Sequence, residues 1–128
     1  MIPIYGITLQ GVQALKVEVE VEITGGLFFI AVVGLPDAAV RESRERVRAA
    51  LRSLLIPVRG RVTVNLAPAD SPKEGALLDL PIALGIAQKL GVISLNKPAL
   101  FVGELALDGR LRKTRGVVPA AFLARKLK

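Results

Sequence analysis

The segment Arg61-Val-Thr-Val-Asn-Leu-Ala67 leads through Pro68-Ala-Asp-Ser-Pro-Lys-Glu-Gly75 into Ala76-Leu-Leu-Asp-Leu-Pro-Ile-Ala-Leu-Gly-Ile-Ala-Gln-Lys-Leu90. The first segment alternates polar and apolar residues, which predicts a β-strand. The last is largely apolar, and Asp79 as a cap with Pro81 in the first turn predicts a buried helix. The polar segment between them has the composition of an ordered functional loop and equally of a plain connection. This stretch therefore predicts a strand, a polar loop and a buried helix.

A second helix is predicted from Gly34-Leu-Pro-Asp37 to about Leu54. Proline in the first turn and an aspartate beside the positive end of the helix dipole both favour a helix start. Four arginines share a helical spacing beside the apolar face, and we call them the basic stripe: Arg41, Arg44, Arg48 and Arg52. The stripe is either a phosphate-facing surface or a solvated helix face. In the second case Glu45 would pair with Arg41 or Arg48, and Glu42 with Arg46.

The remaining elements are shorter. Strands are predicted at 4–10 and 14–24, and Gly25-Gly26 predicts a hairpin into the apolar run 27–33, which is typical of a central strand. Gly91 is expected to cap the buried helix. Two strands at about 99–105 and 109–112, joined by a tight Asp108-Gly109 turn, and a helix at 117–128 complete the chain. The predicted order is β-β-β-α-β-α-β-β-α, which supports an α/β or α+β fold.

The composition limits the available chemistry. Among 128 residues there is no cysteine and no histidine, which excludes a structural zinc site, a thiol nucleophile and an imidazole base. Lysine and arginine total 18 against 11 acidic residues, and the net charge of +7 favours anionic partners, with nucleic acid as the leading candidate. Aromatic residues make up only 4%, which argues against base stacking. No metal site and no small-molecule substrate are indicated.

The length fits one domain, residues 1–128. The opening residues Met-Ile-Pro-Ile-Tyr-Gly have no signal-peptide pattern, and no apolar run approaches the roughly 20 residues of a membrane span. A cytoplasmic protein with no membrane partner is therefore expected. The last predicted helix reaches Lys128 without a capping residue, which suggests that the chain is a fragment of a longer protein.

Several motifs resemble those of known families. Pro72-Lys73-Glu74-Gly75, placed before a buried helix, resembles the nucleophile loop of Lon-type serine-lysine peptidases. The stretch Gly103-Glu-Leu-Ala-Leu-Asp-Gly-Arg-Leu111 resembles the corresponding hairpin of Lon-like domains. The amino-acid sequences of residues 34–47, 65–70 and 79–84 are similar to segments of the N-terminal domain of magnesium-chelatase-like AAA+ proteins of the YifB/ComM type. This resemblance covers essentially the whole chain.

The resemblance implies a two-layer α+β domain with the ribosomal protein S5 domain 2-like, or Lon protease-like, fold. It also implies that an AAA+ ATPase domain, using ATP and Mg²⁺, follows residue 128. The whole protein would be a hexamer that drives DNA branch migration in natural transformation or recombination. This Lon-like domain would then be a catalytically silent accessory domain for DNA contact or subunit assembly. The alternatives are an active Lon-type serine-lysine peptidase and an ATPase partner of a metal chelatase.

The residues at the peptidase positions argue against catalysis. Alignment with the Lon motifs places Leu77 where the serine should be and Val118 where the lysine should be, so neither nucleophile nor base is present. We call the following set the degenerate peptidase loop: Pro72, Lys73, Glu74, Gly75, Leu77 and Val118. No Gly-x-x-x-x-Gly-Lys-Ser/Thr motif occurs, so no cofactor is expected within this chain. No residue is assigned a catalytic role.

Eight basic residues are the candidate contacts to DNA or to another subunit. The first four are the basic stripe, Arg41, Arg44, Arg48 and Arg52, and the other four are Arg110, Arg112, Lys113 and Arg115. The second group is predicted to extend the surface of the first. The sequence leaves open which of the two partners these residues contact.

Overall fold

Seven strands and three α-helices follow one another in the part of the chain that the structure describes. The structure is a computed structural model, and it describes residues 2–68, 73, 76–114 and 116–127. The helices are α1 (Asp37–Ser53), α2 (Asp79–Lys89) and α3 (Val117–Leu127), and a 3₁₀ turn (Ala76–Leu78) precedes α2. The strands are β1 (Ile4–Gln10), β2 (Gln13–Thr24), β3 (Phe29–Val33), β4 (Arg61–Ala67), β5 (Ala99–Leu100), β6 (Glu104–Leu105) and β7 (Leu111–Arg112).

The main sheet has the strand order β3-β4-β2-β1-β5. The strand β2 pairs antiparallel with both β1 and β4, whereas β3 pairs in parallel with β4, and β5 in parallel with β1. The predicted hairpin at Gly25-Gly26 is therefore wrong, because β4 lies between β2 and β3. The predicted central position of the third strand is wrong as well. Since α1 carries the chain from β3 to β4, the two strands can pair in parallel, and β3 is left at the sheet edge.

One face of this sheet forms the main core with the inner sides of α1 and α2. The core is aliphatic, and its buried members include Val17, Val19, Ile30, Val47, Leu51, Val62, Val64, Leu66, Ile82 and Ile86. The residues from β2 and β4 are alternate ones, which confirms the period-2 pattern predicted for both strands. The helices α1 and α2 therefore lie on the same side of the sheet.

The helix α3 covers part of the opposite sheet face. Ile7 and Ala14, which alternate with the main-core residues of β1 and β2, are buried against Ala120, and Leu9 and Leu123 pack around them. Helices therefore lie on both faces of the sheet. A mixed α+β architecture is confirmed, but the predicted two-layer arrangement is wrong. The reason is that β1 carries apolar side chains on both of its faces, and each face needs a cover.

The predicted strand at 99–105 is divided into two. Its first residues form β5 at the edge of the main sheet, and its last form β6, which pairs antiparallel with β7 in a separate two-stranded sheet. Between them Gly103 bonds to the start of α2, since its N–H donates to the Leu77 carbonyl and its carbonyl accepts from the Leu80 N–H. These bonds replace strand pairing, so three short strands follow α2 where two were predicted. The predicted turn at Asp108-Gly109 is confirmed by a hydrogen bond from Gly109 N to Ala106 O.

Asp79 is fully buried where α1, α2 and β6 meet. Its carboxylate accepts hydrogen bonds from Ser43 Oγ at 2.9 Å, from Arg46 Nε at 2.5 Å and Nη2 at 3.2 Å, and from the Leu105 N–H at 3.2 Å. The predicted cap is therefore wrong, because α2 has no side-chain cap and Asp79 is directed at α1. Burial raises the pKa of the Asp79 carboxyl, while hydrogen bonds from Arg46 and Ser43 act in the opposite direction. The hydrogen bond to Asp79 raises the pKa of Arg46.

The helices α1 and α2 end in the same hydrogen-bonding motif with different residues. In α2 Gly91 has φ +78°, its N–H donates to Gln88 O, and the next N–H donates to Ala87 O. This pair of bonds is the Schellman motif, and it confirms the predicted glycine cap. In α1 the equivalent bonds run from Leu55 N to Arg52 O and from Ile56 N to Leu51 O. Leu55 adopts φ +60° there, a left-handed conformation that costs an L side chain about 1–2 kcal/mol.

We expect Asp79→Ala to lower the free energy of unfolding by about 3–5 kcal/mol, the usual cost of breaking a buried ion pair. The substitution removes the carboxylate that accepts the hydrogen bonds from Ser43, Arg46 and Leu105, and it leaves the mostly buried Arg46 with only the more distant, exposed Glu42 as a counter-charge among the described residues. Urea unfolding followed by circular dichroism measures the change. Glu45→Ala is the control, since it removes an exposed helical carboxylate paired with Arg48, and its midpoint should stay close to the wild-type value. Equal midpoints for the two variants would contradict the role given to Asp79.

We expect Leu55→Gly to raise the free energy of unfolding by about 0.5–1 kcal/mol. Glycine removes the left-handed penalty, and part of that gain is offset by the greater entropy of glycine in the unfolded chain. The Leu55 side chain is 88% exposed, so little packing is lost. Gly91→Ala is the matched opposite, because a Cβ there meets only open space and the effect is purely conformational. Urea unfolding followed by circular dichroism measures both variants. Destabilisation by Leu55→Gly would show that the leucine side chain makes packing contacts that offset the cost of its backbone conformation.

Candidate nucleic-acid interface

The basic stripe lies along the side of α1 next to its apolar face, as its spacing predicted. Arg41 and Arg52 are exposed, while Arg44 and Arg48 are half-buried. Among the described side chains, one arginine of the stripe has an acidic partner: Arg48 Nη2 donates to Glu45 Oε2 at 3.0 Å. Arg46 pairs with Glu42 at 3.7 Å, but that pair lies on another side of the helix. Both pairings were predicted, so the stripe is partly neutralised and remains strongly positive.

Arg61 joins the stripe through an aromatic side chain. The Arg44 guanidinium carbon lies 5.0 Å from the centre of the Phe29 ring, and that of Arg61 lies 5.6 Å from it. Both distances suit a cation–π interaction. Sequence reasoning missed Arg61 because it placed β3 beside β2, whereas the register pairs Phe29 with Arg61 across β3 and β4. The parallel pairing of these strands therefore fixes two guanidinium groups around one ring.

A groove opens at the C-terminal end of α1, next to the stripe. It encloses about 410 Å³, and its lining residues are Phe28, Arg48, Leu51, Arg52, Leu55, Ile56, Pro57 and Val58. We call it the Leu55 groove. Its walls are largely apolar, and the charged side chains among its described lining residues are two arginines of the stripe. The groove and the stripe thus form one continuous surface.

The second basic group does not extend this surface. Arg110 pairs with Asp108 at 2.8 Å, Arg112 approaches Glu104 at 3.8 Å, and Lys113 is exposed. The β6–β7 turn contacts α1 through Ser53 Oγ, which donates to the Asp108 carbonyl. Ser53 lies about 180° round the helix axis from Arg44 at 3.6 residues per turn. The two groups therefore flank α1 on opposite sides, so the prediction of one extended surface is wrong for this group, and Arg115 falls outside the described residues.

The opposite sheet face carries charge of the other sign. Glu18, Glu20 and Glu22 are exposed along β2, on the face away from α1, and Asn65 Nδ2 donates to Glu20 Oε1 at 2.8 Å. The acidic row and the basic stripe thus lie on different sides of the molecule. A polyanion would meet an attractive surface at α1 and a repulsive one across the sheet.

The degenerate peptidase loop is only partly described. Lys73 is buried, and its Nζ donates to the Pro68 carbonyl at 2.5 Å. Leu77 is buried in the 3₁₀ turn before α2, whereas Val118 is 65% exposed on α3, and these two helices pack on opposite faces of the sheet. Pro72, Glu74 and Gly75 fall outside the described residues. The alignment positions of the serine and the lysine thus carry aliphatic side chains in two different environments.

Two further features of the described residues bear on the kind of site that the chain can form. No group of three or more carboxylates that could hold a metal ion occurs among them. None of the helices in this part of the chain combines the length and the apolar character needed to cross a membrane. A larger cleft of about 740 Å³ lies between the β1–β2 turn and α3, whereas the stripe and the Leu55 groove are the surface where the arginines of α1 adjoin a cleft.

Comparison with known proteins identifies relatives over almost the whole chain. The family model described as the ChlI subunit of magnesium chelatase matches residues 19–128. The chain is 45% identical to the competence protein ComM of Haemophilus influenzae over 129 residues, which is 98% of this chain and 25% of that protein. It is 43% identical to the YifB protein of Escherichia coli over 120 residues, or 91% of this chain and 24% of that protein.

A protein of Mycobacterium tuberculosis is 40% identical over 126 residues, which is 95% of this chain and 25% of that protein. The chain therefore spans about a quarter of the length of the curated relatives it matches. The matched range of the family model includes α1, the Leu55 groove and everything after them. The chain belongs to the magnesium-chelatase ChlI-like family, together with the ComM and YifB proteins.

Proposed function

We propose that this chain is a catalytically silent, DNA-contacting module of a longer magnesium-chelatase-like AAA+ ATPase. The relatives are about four times as long, which leaves room for an ATPase domain that binds ATP and Mg²⁺ outside this chain. One relative is named a competence protein. With the motif resemblance, this supports a hexameric, ATP-driven branch-migration or helicase function for the whole protein, acting on DNA in the cytoplasm.

The observation that carries the proposal is the grouping of five arginines along α1 and the adjacent β3 edge of the sheet. Four belong to the basic stripe, and Arg61 joins them through Phe29. Arginine presents several N–H donors in a rigid plane that matches phosphate geometry. Phosphate contacts supply most of the affinity of non-specific DNA binding. Such contacts lose less side-chain entropy when the guanidinium groups are already held in place before binding.

The catalytic silence rests on the dyad positions and on Lys73. Leu77 and Val118 have no group that can attack a carbonyl or take up a proton. Lys73 is the basic residue within the loop, and its ammonium donates to the Pro68 backbone carbonyl. A base without a hydroxyl nucleophile performs no acyl transfer. We therefore assign this domain a binding role and no peptidase activity.

The salt dependence of DNA binding tests the proposal. The triple variant Arg44→Gln, Arg48→Gln, Arg52→Gln should lower the slope of log K against log salt by about 2–3, at roughly 0.7–0.9 per lost phosphate contact. These positions lie off the apolar face, so the fold should persist. Fluorescence anisotropy of a labelled oligonucleotide, repeated over a range of salt concentrations, gives the slope.

The matched control is Arg110→Gln, Arg112→Gln, Lys113→Gln, which removes the same charge from the opposite side of α1. Its slope should stay close to the wild-type value. If both triple variants lower the slope equally, binding follows net charge alone and the assigned surface is wrong. If the stripe variant keeps the wild-type slope but changes the sedimentation coefficient of the protein, the stripe is a subunit contact.

A further inference from the structure

The Leu55 groove contains a side chain whose position folding stability does not explain. Leu55 stands in the left-handed position of a Schellman motif, where α2 uses Gly91 in the same motif. The leucine is 88% exposed, so burial offsets little of its conformational cost. Unfavourable backbone conformations of this kind are characteristic of functional sites. The Leu55 side chain is therefore best explained by something that contacts it from outside.

Phe28 forms another exposed part of the same groove. Its ring is 41% exposed at the sheet edge. The adjacent Phe29 ring is contacted by Arg44 and Arg61 and does not line the groove, so Phe28 is the aromatic side chain that the groove offers to a ligand. The groove volume of about 410 Å³ lies within the roughly 300–1,000 Å³ of small-ligand clefts. The groove therefore has room for an aromatic or planar apolar group beside Phe28 and Leu55.

The charged residues of the groove specify what such a group should be attached to. Arg48 and Arg52 line the groove, and none of the other lining residues that the structure describes is charged. Arg52 has no ion pair with any side chain that the structure describes. An apolar slot beside two guanidinium groups is complementary to a planar ring that carries a phosphate on each side.

We propose that the Leu55 groove binds an unpaired base of a single DNA strand whose flanking phosphates lie on Arg48 and Arg52. This inference rests on the proposed DNA contact and adds to it a preference for single strands. Bases in a duplex are stacked and paired and present only their edges, whereas an unstacked base can place its flat face on an aromatic side chain. The low aromatic content had argued against stacking, but one exposed ring next to two arginines is sufficient for one base.

The test compares two oligonucleotides with the same number of phosphates. One is an oligothymidylate, and the other carries abasic residues in place of the central thymidines. At one fixed salt concentration the wild-type chain should bind the first at least about fivefold more tightly, which corresponds to the lower end of the 1–3 kcal/mol measured for one stacked base. Phe28→Ala should reduce the affinity for oligothymidylate to that for the abasic strand and leave the abasic affinity unchanged.

Two more variants separate the groove from its surroundings. Leu27→Ala is the control, because Leu27 is 92% exposed next to Phe28 but does not line the groove, and it should keep the preference for bases. Leu55→Gly should lose the preference while the protein stays folded, since glycine suits that backbone position. This second variant keeps the inference testable even if Phe28→Ala perturbs the sheet edge.

The outcomes distinguish this inference from the proposed function. Equal binding of the thymidine and abasic strands, with salt-dependent affinity for both, would overturn the base site and leave the phosphate contact intact. Absence of binding to either strand would overturn both. Loss of self-association in Phe28→Ala, measured by sedimentation, with the base preference retained, would show that the groove is an interface between copies and would also overturn the base site.

Discussion

The buried Asp79 carboxylate is the constraint on which the arrangement of the functional surface depends. It holds α1 through Ser43 and Arg46, and it holds β6 through the Leu105 N–H. Because Arg46 is bound inward to α2, the rotation of α1 about its own axis is fixed. Arg44 lies about 160° from Arg46 round that axis, so it is directed to the sheet edge, where Phe29 receives it. A contact on one side of the helix thus sets which arginines face a ligand on the other.

Two features of the chain lower the stability of the fold relative to simpler alternatives. A buried ion pair carries a desolvation cost that an apolar pair would avoid, and here burial raises the pKa of Asp79 even though Arg46 and Ser43 donate to it. Leu55 keeps a left-handed backbone that glycine would adopt more readily. The buried ion pair is accounted for by the registry that it gives to α1, and the left-handed Leu55 by the groove that it lines. Both connect the folding of α1 to the surface that we propose for DNA.

Sequence patterns predicted most elements because period-2 and helical spacing are local properties. They placed α1, α2, β2 and β4, and they placed the stripe on α1. They did not predict that β4 inserts between β2 and β3, since periodicity states which residues are buried and not which strand is the neighbour. Arg61 and its ring contact were missed for the same reason. Asp79 has the same local signature whether it caps its helix or turns inward, so only the packing of α1 against α2 reveals its role.

The most direct test of the central claim is a map of the DNA-contacting surface by backbone amide chemical shifts of the ¹⁵N-labelled chain. On titration with oligothymidylate, the largest changes are expected at residues 28–29, at the stripe between 41 and 52, at 55–58 and at Arg61. The acidic row of β2 and the β6–β7 hairpin should show none. Changes concentrated on α3 or on that hairpin, with α1 unaffected at saturation, would contradict the account.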